Sequence, residues 1–370
     1  MSLVATRIQN WRVLNPVFDK NMTRPAEYGA LDFFVSQTNA GNSIISPELK
    51  AKALAANGVD VQMPVINFDG GVTVANTRSC TIQDAENTSA LYTVVFATYA
   101  IGFTMVPAMY MNNEINYQHD FNRKMEKVTR ALAGKLDEAG IAALEANKTQ
   151  VIKDKLYYTV TGNDIQVPWS MRQDFLGDIN PIMRANDYRG QIHLVGNAGI
   201  DSILRKLQEH GLWNDVNKTF EYADKVFHFT TNIQNEAGKF ASVYAVEDGN
   251  VGVVTRVDRE SLRGGQANSH VWSIVNLPLI DLPVGSHYYT AVGDQSAIGG
   301  ASTADMTCNI KEYFGFSLDV AFIVAYNSDP ATIANPIIKA EVVSPVGNPM
   351  AQPVVITNET TNPVNTKEVV

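Results

Sequence analysis

Histidine is the side chain most often used for proton transfer near neutral pH and as a metal ligand, and this chain has six of them. They occur singly, without HExxH or HxH spacing and without a carboxylate placed to share one helix face with them. The six are His119, His193, His210, His228, His270 and His287. We therefore predict no metal site and no histidine-based catalytic site.

Two cysteines, Cys80 and Cys308, lie far apart in the chain, without a CxxC motif and without a histidine at ligand spacing. This pattern favours neither a disulfide framework nor a zinc site, and it pairs neither thiol with a general base. We interpret both as bystander thiols in a reducing cytoplasm.

Two short motifs could be taken for catalytic groups. Gly264-Gly265-Gln266 resembles the loop with which peptide-chain release factors position water, but it stands alone in an acidic chain and is predicted to be a surface loop. Asp137 and Glu138 are adjacent on a predicted helix, point about 100° apart and are expected on its solvated face. Phosphate-binding GxxxxGK[ST] and GxGxxG motifs are missing. We expect no catalytic residue, no cofactor and no metal.

The composition is that of a globular chain, with 370 residues, 45% of them hydrophobic, and a formal net charge of -9. An acidic balance argues against a surface that grips DNA by neutralising its phosphates. The N-terminus lacks the charged and apolar regions of a secretory signal, and no window carries the roughly 18 apolar residues that span a bilayer. Neither export nor a membrane partner is expected.

The first hundred residues indicate an extended arm followed by a long hairpin. Val61, Met63 and Val65 alternate with other residues, residues 67–71 (NFDGG) supply turn chemistry, and Leu91 to Met105 returns as one long strand rich in pleat-favouring residues. A two-stranded hairpin is marginally stable alone and exposes its edges. We therefore expect it to lie on a neighbouring subunit.

Beyond the hairpin, apolar residues from Ile115 to Asn147 recur at helical spacing, which predicts one very long helix, with Gly134 and Gly140 as the positions where it would bend or divide. A second amphipathic helix is predicted from Asn197 to His210. Several short strands and one long alternating strand, Phe314 to Tyr326, complete an irregular α+β fold.

This order of elements resembles the HK97-fold major capsid proteins of tailed bacteriophages. The resemblance runs from the arm to Val343, through TMVPAMYMNNEINY, the spine helix DFNRKMEKVTRALAGKLDEAGIAALEAN and GNAGIDSILRKLQEHG. It implies an N-terminal arm (1–55), an extended β-hairpin loop (56–107), a spine helix with a peripheral domain (108–185), an axial domain (186–336) and a return strand to the peripheral domain with a C-terminal tail (337–370).

The resemblance also implies a function. A non-enzymatic shell protein would assemble through pentamers and hexamers in the host bacterial cytoplasm into a virion capsid, enclosing double-stranded DNA without sequence specificity. Its partners would be further copies of itself, a portal protein and decoration proteins. Since no scaffolding domain precedes the arm, the resemblance implies either a separate scaffolding protein or assembly driven by the capsid protein alone. The hairpin residues proposed for the assembly interface are Val61, Met63, Phe68, Asp69 and Arg78. Two alternatives stay open, an encapsulin-like compartment and a soluble hydrolase without a recognisable motif.

Some capsid proteins of that family join their subunits by isopeptide bonds from a lysine on the extended loop. Here no lysine occurs between Lys52 and Lys124, and Arg78 is not a nucleophile because its guanidinium stays protonated. We predict a shell held by noncovalent contacts. Particles boiled in denaturant and reductant should run as one band of monomer mass, whereas a ladder of multiples would contradict the prediction.

Overall fold

The computed structural model describes twelve segments of the chain, namely residues 28–41, 43–55, 61–66, 89–110, 117–148, 155–207, 212–214, 219–222, 225–267, 269–292, 310–325 and 334–345. They form a mixed fold of α-helices and β-sheets, as the sequence predicts. Among the described helices, none is long and apolar enough to cross a membrane.

Six α-helices lie within these segments: α1 (Gly29–Asn39), α2 (Pro47–Ala55), α3 (Tyr117–Ala146), α4 (Phe175–Ala185), α5 (Ala198–Leu207) and α6 (Arg259–Arg263). The first strands are β1 (Val61–Ile66), β2 (Ser89–Val94), β3 (Ala97–Met105), β4 (Thr159–Thr161), β5 (Asp164–Val167), β6 (Ile192–Gly196), β7 (Leu212–Asn214) and β8 (Thr219–Tyr222). The remaining strands are β9 (Lys225–Phe229), β10 (Lys239–Glu247), β11 (Val251–Arg256), β12 (Gly265–Ala267), β13 (His270–Asn276), β14 (Pro283–Val292), β15 (Ile310–Val324) and β16 (Ile337–Val343).

An eight-stranded sheet has the order β4-β5-β16-β10-β6-β9-β8-β7. The pairs β5–β16 and β6–β9 are parallel, and the other neighbours are antiparallel. Its central strand β6 is buried along its whole length, including His193. One face of this sheet packs against α4 and α5 in a hydrophobic cluster of its own.

A six-stranded sheet has the order β11-β15-β14-β13-β12, with β3 paired to β15 as well. The fifteen residues of β15 give it room for three partners, because it pairs with β14 through 310–317, with β3 through 312–320 and with β11 through 319–324. Even-numbered residues of β15 from 312 to 320 are buried, which confirms the predicted alternation.

The long helix α3 confirms the predicted spine and spans about 45 Å at ~1.5 Å per residue. Its apolar stripe, which includes Phe121, Leu132 and Leu136, is buried in the largest hydrophobic cluster of the described chain. The helix runs without a break through both glycines. A Cβ on Gly140 would lie 3.3 Å from the Phe34 ring, so this glycine allows α1 to approach closely.

Helix α1 belongs to the interior of the subunit, whereas the sequence analysis assigned it to an extended N-terminal arm (1–55). Leu31, Phe33 and Phe34 are at most 1% exposed and pack with α3 and the sheets. A Cβ on Gly29 would come within 2.3 Å of the Phe229 carbonyl oxygen, so the start of α1 lies directly on β9. Residues 1–27 of the predicted arm lie outside the described residues.

The predicted single strand Leu91 to Met105 is in fact two strands, and this expectation was wrong. The chain changes sheets at Val95 and Phe96, since β2 pairs with β1 whereas β3 pairs with β15. The Phe96 ring lies 4.2 Å from the guanidinium carbon of Arg256, which is paired to Asp319 at 2.8 Å. Apolar and β-branched residues occur on both sides of this change, so composition alone gave no sign of it.

The two sheets combine strands from several of the predicted segments. Strand β16, predicted to return to the peripheral domain, pairs in parallel with β5 of the 108–185 segment and antiparallel with β10 of the 186–336 segment. Strands β11 to β15 of the predicted axial segment join β3 in the sheet that packs on α3. The domain boundaries at 185/186 and 336/337 stay a prediction.

Candidate assembly surfaces and buried polar clusters

The hairpin of β1 and β2 has two distinct faces. Its strands pair antiparallel with Val61 opposite Val94, Met63 opposite Tyr92 and Pro64 opposite Leu91. Since side chains alternate along a strand, Val61 and Met63 share one face with Tyr92 and Val94. The turn predicted at 67–71, together with Phe68, Asp69 and Arg78, lies outside the described residues.

The inner face fixes the hairpin base to its own subunit. Val61 is 4% and Val94 2% exposed, and they pack with α2, β11 and β15 in a separate hydrophobic cluster. Met63 is half-buried against the same cluster. Val61, predicted for the interface between subunits, therefore stabilises the subunit that carries it.

The outer face presents apolar groups to solvent that the sequence analysis did not select. Leu91 is 66% exposed, and Val95, just beyond β2, is 72% exposed. The alternation of buried Val94 and half-buried Tyr92 with Leu91 was a usable signal, because it places Leu91 on the opposite face. Among the large hydrophobic side chains of the described chain, these two have the largest exposed fractions.

A second surface is the face of the six-stranded sheet turned away from α3. Five rings stack side by side on it across β13, β14 and β15, those of Trp272, His270, His287, Tyr289 and Tyr313. Beside the rings lies an open groove of about 530 Å³ whose lining includes Gly102 and Gly315. These two glycines face each other in the register of β3 and β15 and leave the groove without side chains at that point.

Asp137 is buried, which corrects the prediction that it lies on the solvated face of the spine helix. Its carboxyl accepts hydrogen bonds from the Leu31 N–H (2.9 Å), from Asn232 Nδ2 (2.9 Å) and from the Thr230 hydroxyl. The N-cap residue Tyr28 makes no side-chain cap, so the Asp137 carboxyl of the spine helix caps the start of α1. Burial raises the pKa of Asp137, and these hydrogen bonds offset part of the rise.

Four of the six histidines form pairs, so the prediction that histidines stand singly holds for the sequence but not for the structure. His193 Nδ1 lies 3.1 Å from His228 Nε2 in the interior, and the Phe33 ring is 5.2 Å from both. His270 Nδ1 lies 2.8 Å from His287 Nε2 on the outer sheet face. Desolvation by burial and the neighbouring His270 lower the pKa of His287.

A network of lysines and carboxylates joins the end of α3 to the eight-stranded sheet. The Lys339 ammonium lies 3.1 Å from Glu341, 3.2 Å from Asp164 and 3.5 Å from Glu145. Lys148 Nζ bridges Asp164 and Glu145 at 2.5 and 2.7 Å. Burial alone would lower the pKa of Lys339, but the surrounding carboxylates outweigh it and raise that pKa.

Three carboxylates of this region, those of Asp164, Glu236 and Glu341, lie close enough to share a cation. The Lys339 ammonium is within 3.9 Å of all three. The Lys339 ammonium therefore already occupies the position between these carboxylates that a metal ion would take.

Among the described residues, the remaining sequence motifs do not bring catalytic side chains together. Gly264 and Gly265 have φ values of 63° and 122°, which only glycine adopts readily, and they form an exposed turn into β12. Gln266 pairs with Val271 in the sheet. Cys80 and Cys308 lie outside the described residues.

Comparisons with known proteins give similarity to solved structures but no match to a family. No protein-family model and no curated protein matches it. It is similar to solved structures from phages, including one described as the Cyanophage Pam1 capsid asymmetric unit, at 12% identity over 87% of this chain and 94% of that one, with a TM-score of 0.48. A chain of Mycobacterium phage Che8 gives 11% identity over 80% and 88% with a TM-score of 0.45. One from the bacteriophage PhiM1 mature capsid gives 9% over 76% and 82% with a TM-score of 0.40.

Proposed function

We propose that this chain is the major capsid protein of a tailed phage, which assembles through pentamers and hexamers into an icosahedral shell around double-stranded DNA. The observation that carries the proposal is the hairpin of β1 and β2, whose base is fixed to the subunit while its outer face exposes Leu91 and Val95. A subunit that has its own hydrophobic cores and a hairpin with exposed apolar side chains has the form expected of a shell component.

Energetics support a neighbouring subunit for this hairpin. An isolated two-stranded hairpin is marginally stable in water, and β1 and β2 form a separate two-stranded sheet. Covering its apolar side chains on a second copy recovers about 25 cal/mol per Å² of buried apolar area. Closed point-group symmetry then repeats the contact around each ring of subunits.

The net charge of -9 suits a container for DNA. Packaged DNA must slide past the shell, and an acidic protein adheres weakly to a polyanion. The portal, scaffolding and decoration proteins, and assembly in the host cytoplasm, belong to the same proposal. The role is structural rather than enzymatic.

Electron microscopy of the purified, assembled protein distinguishes the proposed capsid function from two alternatives, an encapsulin-like compartment and a soluble hydrolase. The proposal expects hollow icosahedral particles, with a portal vertex in virions. Particles of the same subunit filled with a protein cargo would instead support an encapsulin-like compartment. A chain that sediments only as a monomer, even with scaffolding protein supplied, would contradict both shell functions and favour the soluble hydrolase.

Replacing Leu91 by aspartate should leave a folded subunit but prevent shell formation. The side chain is 66% exposed, so little packing is lost within the subunit. In the shell, each copy would bury a carboxylate in place of a leucine whose burial is worth about 2 kcal/mol. Sedimentation velocity and negative-stain microscopy measure the outcome.

Leu262→Asp is the matched control, because Leu262 is another exposed leucine, at 45%, and lies on α6 away from the hairpin. It should assemble like the unmodified chain. Normal shells from Leu91→Asp would overturn the assignment of this face, as would equal loss of shells from both variants.

A further inference from the structure

The interior pair of His193 and His228 joins α1 to the eight-stranded sheet. His193 lies on β6 and His228 on the neighbouring parallel strand β9, and both are less than 10% exposed. Their rings stack 5.4 Å apart and face Phe33 of α1. The Gln37 side chain of α1 contacts the pair, with its amide nitrogen 3.3 Å from Nε2 of His193.

The direction of each hydrogen bond from Gly249 through Gln37 and His193 to His228 can be derived. The Gly249 N–H donates to Gln37 Oε1 at 2.7 Å, so the amide nitrogen of Gln37 is the atom that faces His193 Nε2. An amide nitrogen only donates, hence His193 Nε2 accepts and carries no proton. His193 therefore has its proton on Nδ1 and donates it to Nε2 of His228, whose own proton is left on Nδ1.

Two carboxylates each lie 3.5 Å from a ring nitrogen of the pair, and two more belong to α3, which packs on the same side of the sheet. Asp32 of α1 has a carboxylate oxygen 3.5 Å from His228 Nδ1. Asp248, in the turn after β10, has one 3.5 Å from His193 Nε2. On α3, Asp137 reaches the end of β9 through Thr230, and Glu145 is bound by the Tyr244 hydroxyl of β10.

We propose that this pair is a proton-sensitive lock on α1, closed while Nε2 of His193 carries no proton and opened when that nitrogen is protonated. In the neutral arrangement that nitrogen is the acceptor for Gln37. Once it is protonated, two donors face each other, the Gln37 contact is lost, and the imidazolium is drawn to Asp248. Helix α1 then opens locally more often. The inference rests on the subunit alone and does not depend on the capsid function.

The pKa values support this order of events. Desolvation by burial and the neighbouring His228 lower the pKa of His193 to about 4, despite Asp248. A folded-state pKa below the ordinary value of about 6.5 means that the closed state loses stability as pH falls from about 6.5 towards about 4. Asp137 acts in the opposite direction, because its pKa is raised and acid favours its folded form.

Hydrogen–deuterium exchange of the full chain tests the lock. Between about pH 7.5 and about pH 5, the opening equilibrium of the α1 amides should rise about twentyfold after correction for intrinsic exchange. The amides of α4, on the far side of the eight-stranded sheet, serve as the internal reference. Equal changes in α1 and α4, or none in α1, would overturn the proposal.

Two further measurements separate titration from general acid damage. His193→Gln removes the imidazole and should abolish the acid step in α1, whereas His119→Gln, at an exposed position of α3, should keep it. Exchange of the imidazole C2–H in the unmodified chain reports the titration of His193 without any substitution, and its midpoint is expected near pH 4. A midpoint at the ordinary histidine value, or an acid step that persists in His193→Gln, refutes the lock.

Discussion

Asp137→Ala is expected to lower the free energy of unfolding by about 3 kcal/mol. The carboxyl is fully buried and accepts from the Leu31 N–H, Thr230 and Asn232, so its removal leaves three donors without an acceptor. The first turn of α1 also loses the side-chain cap that Asp137 provides, since the N-cap residue Tyr28 makes no side-chain cap. Urea unfolding monitored by circular dichroism measures the change.

Glu138→Ala is the matched control, one residue further along the same helix. The Glu138 side chain is 50% exposed and its partner Lys135 is 67% exposed, so that surface ion pair contributes at most about 1 kcal/mol. Equal destabilisation by the two substitutions would show that the loss does not come from the buried hydrogen bonds.

Lys339→Met is the second substitution with a large expected effect, again about 3 kcal/mol of lost stability. Without the ammonium, Glu341, which is 1% exposed, keeps Lys239 at 3.3 Å but loses its nearest cation. Asp164 likewise loses one of its two lysines. The same urea titration, with two-state behaviour checked by a second probe, gives the value.

The double variant Lys339→Met/Glu341→Leu distinguishes a missing charge partner from lost packing. Removing both partners leaves fewer unpaired buried charges, so the double variant should regain part of the stability lost by Lys339→Met. If the double variant is less stable than the single variant by the full cost of a second truncation, the two residues do not act as a pair. Lys135→Met, at an exposed position, should change stability by less than about 1 kcal/mol.

Elements whose signal is local could be predicted from the sequence. The spine helix, the helix at 198–207 and the long strand β15 each show a sustained period of their own, and each lies where that period placed it. The sequence also indicates short strands at 240–246 and 251–257, and β10 and β11 end within one residue of those bounds.

Features that depend on distant parts of the chain could not be predicted in the same way. Asp137 has the spacing of a surface residue, yet its partner Leu31 is 106 residues away. His193 and His228, 35 residues apart, meet because β6 and β9 are parallel neighbours. Periodicity carries no information about either approach, because it describes one element at a time.

The junction of β2 with β3 has a consequence for how copies of the chain fit different surroundings. Only Val95 and Phe96 separate β2 of the hairpin from β3 of the six-stranded sheet. At this junction, the four backbone dihedral angles of these two residues set the tilt between the hairpin and the sheet. The ring of Phe96 rests on Arg256, while Val94 stays packed at the base. In a closed shell, curvature differs between five-fold and six-fold positions. The hinge angles at Val95 and Phe96 would absorb that difference, with each sheet keeping its own hydrogen bonds.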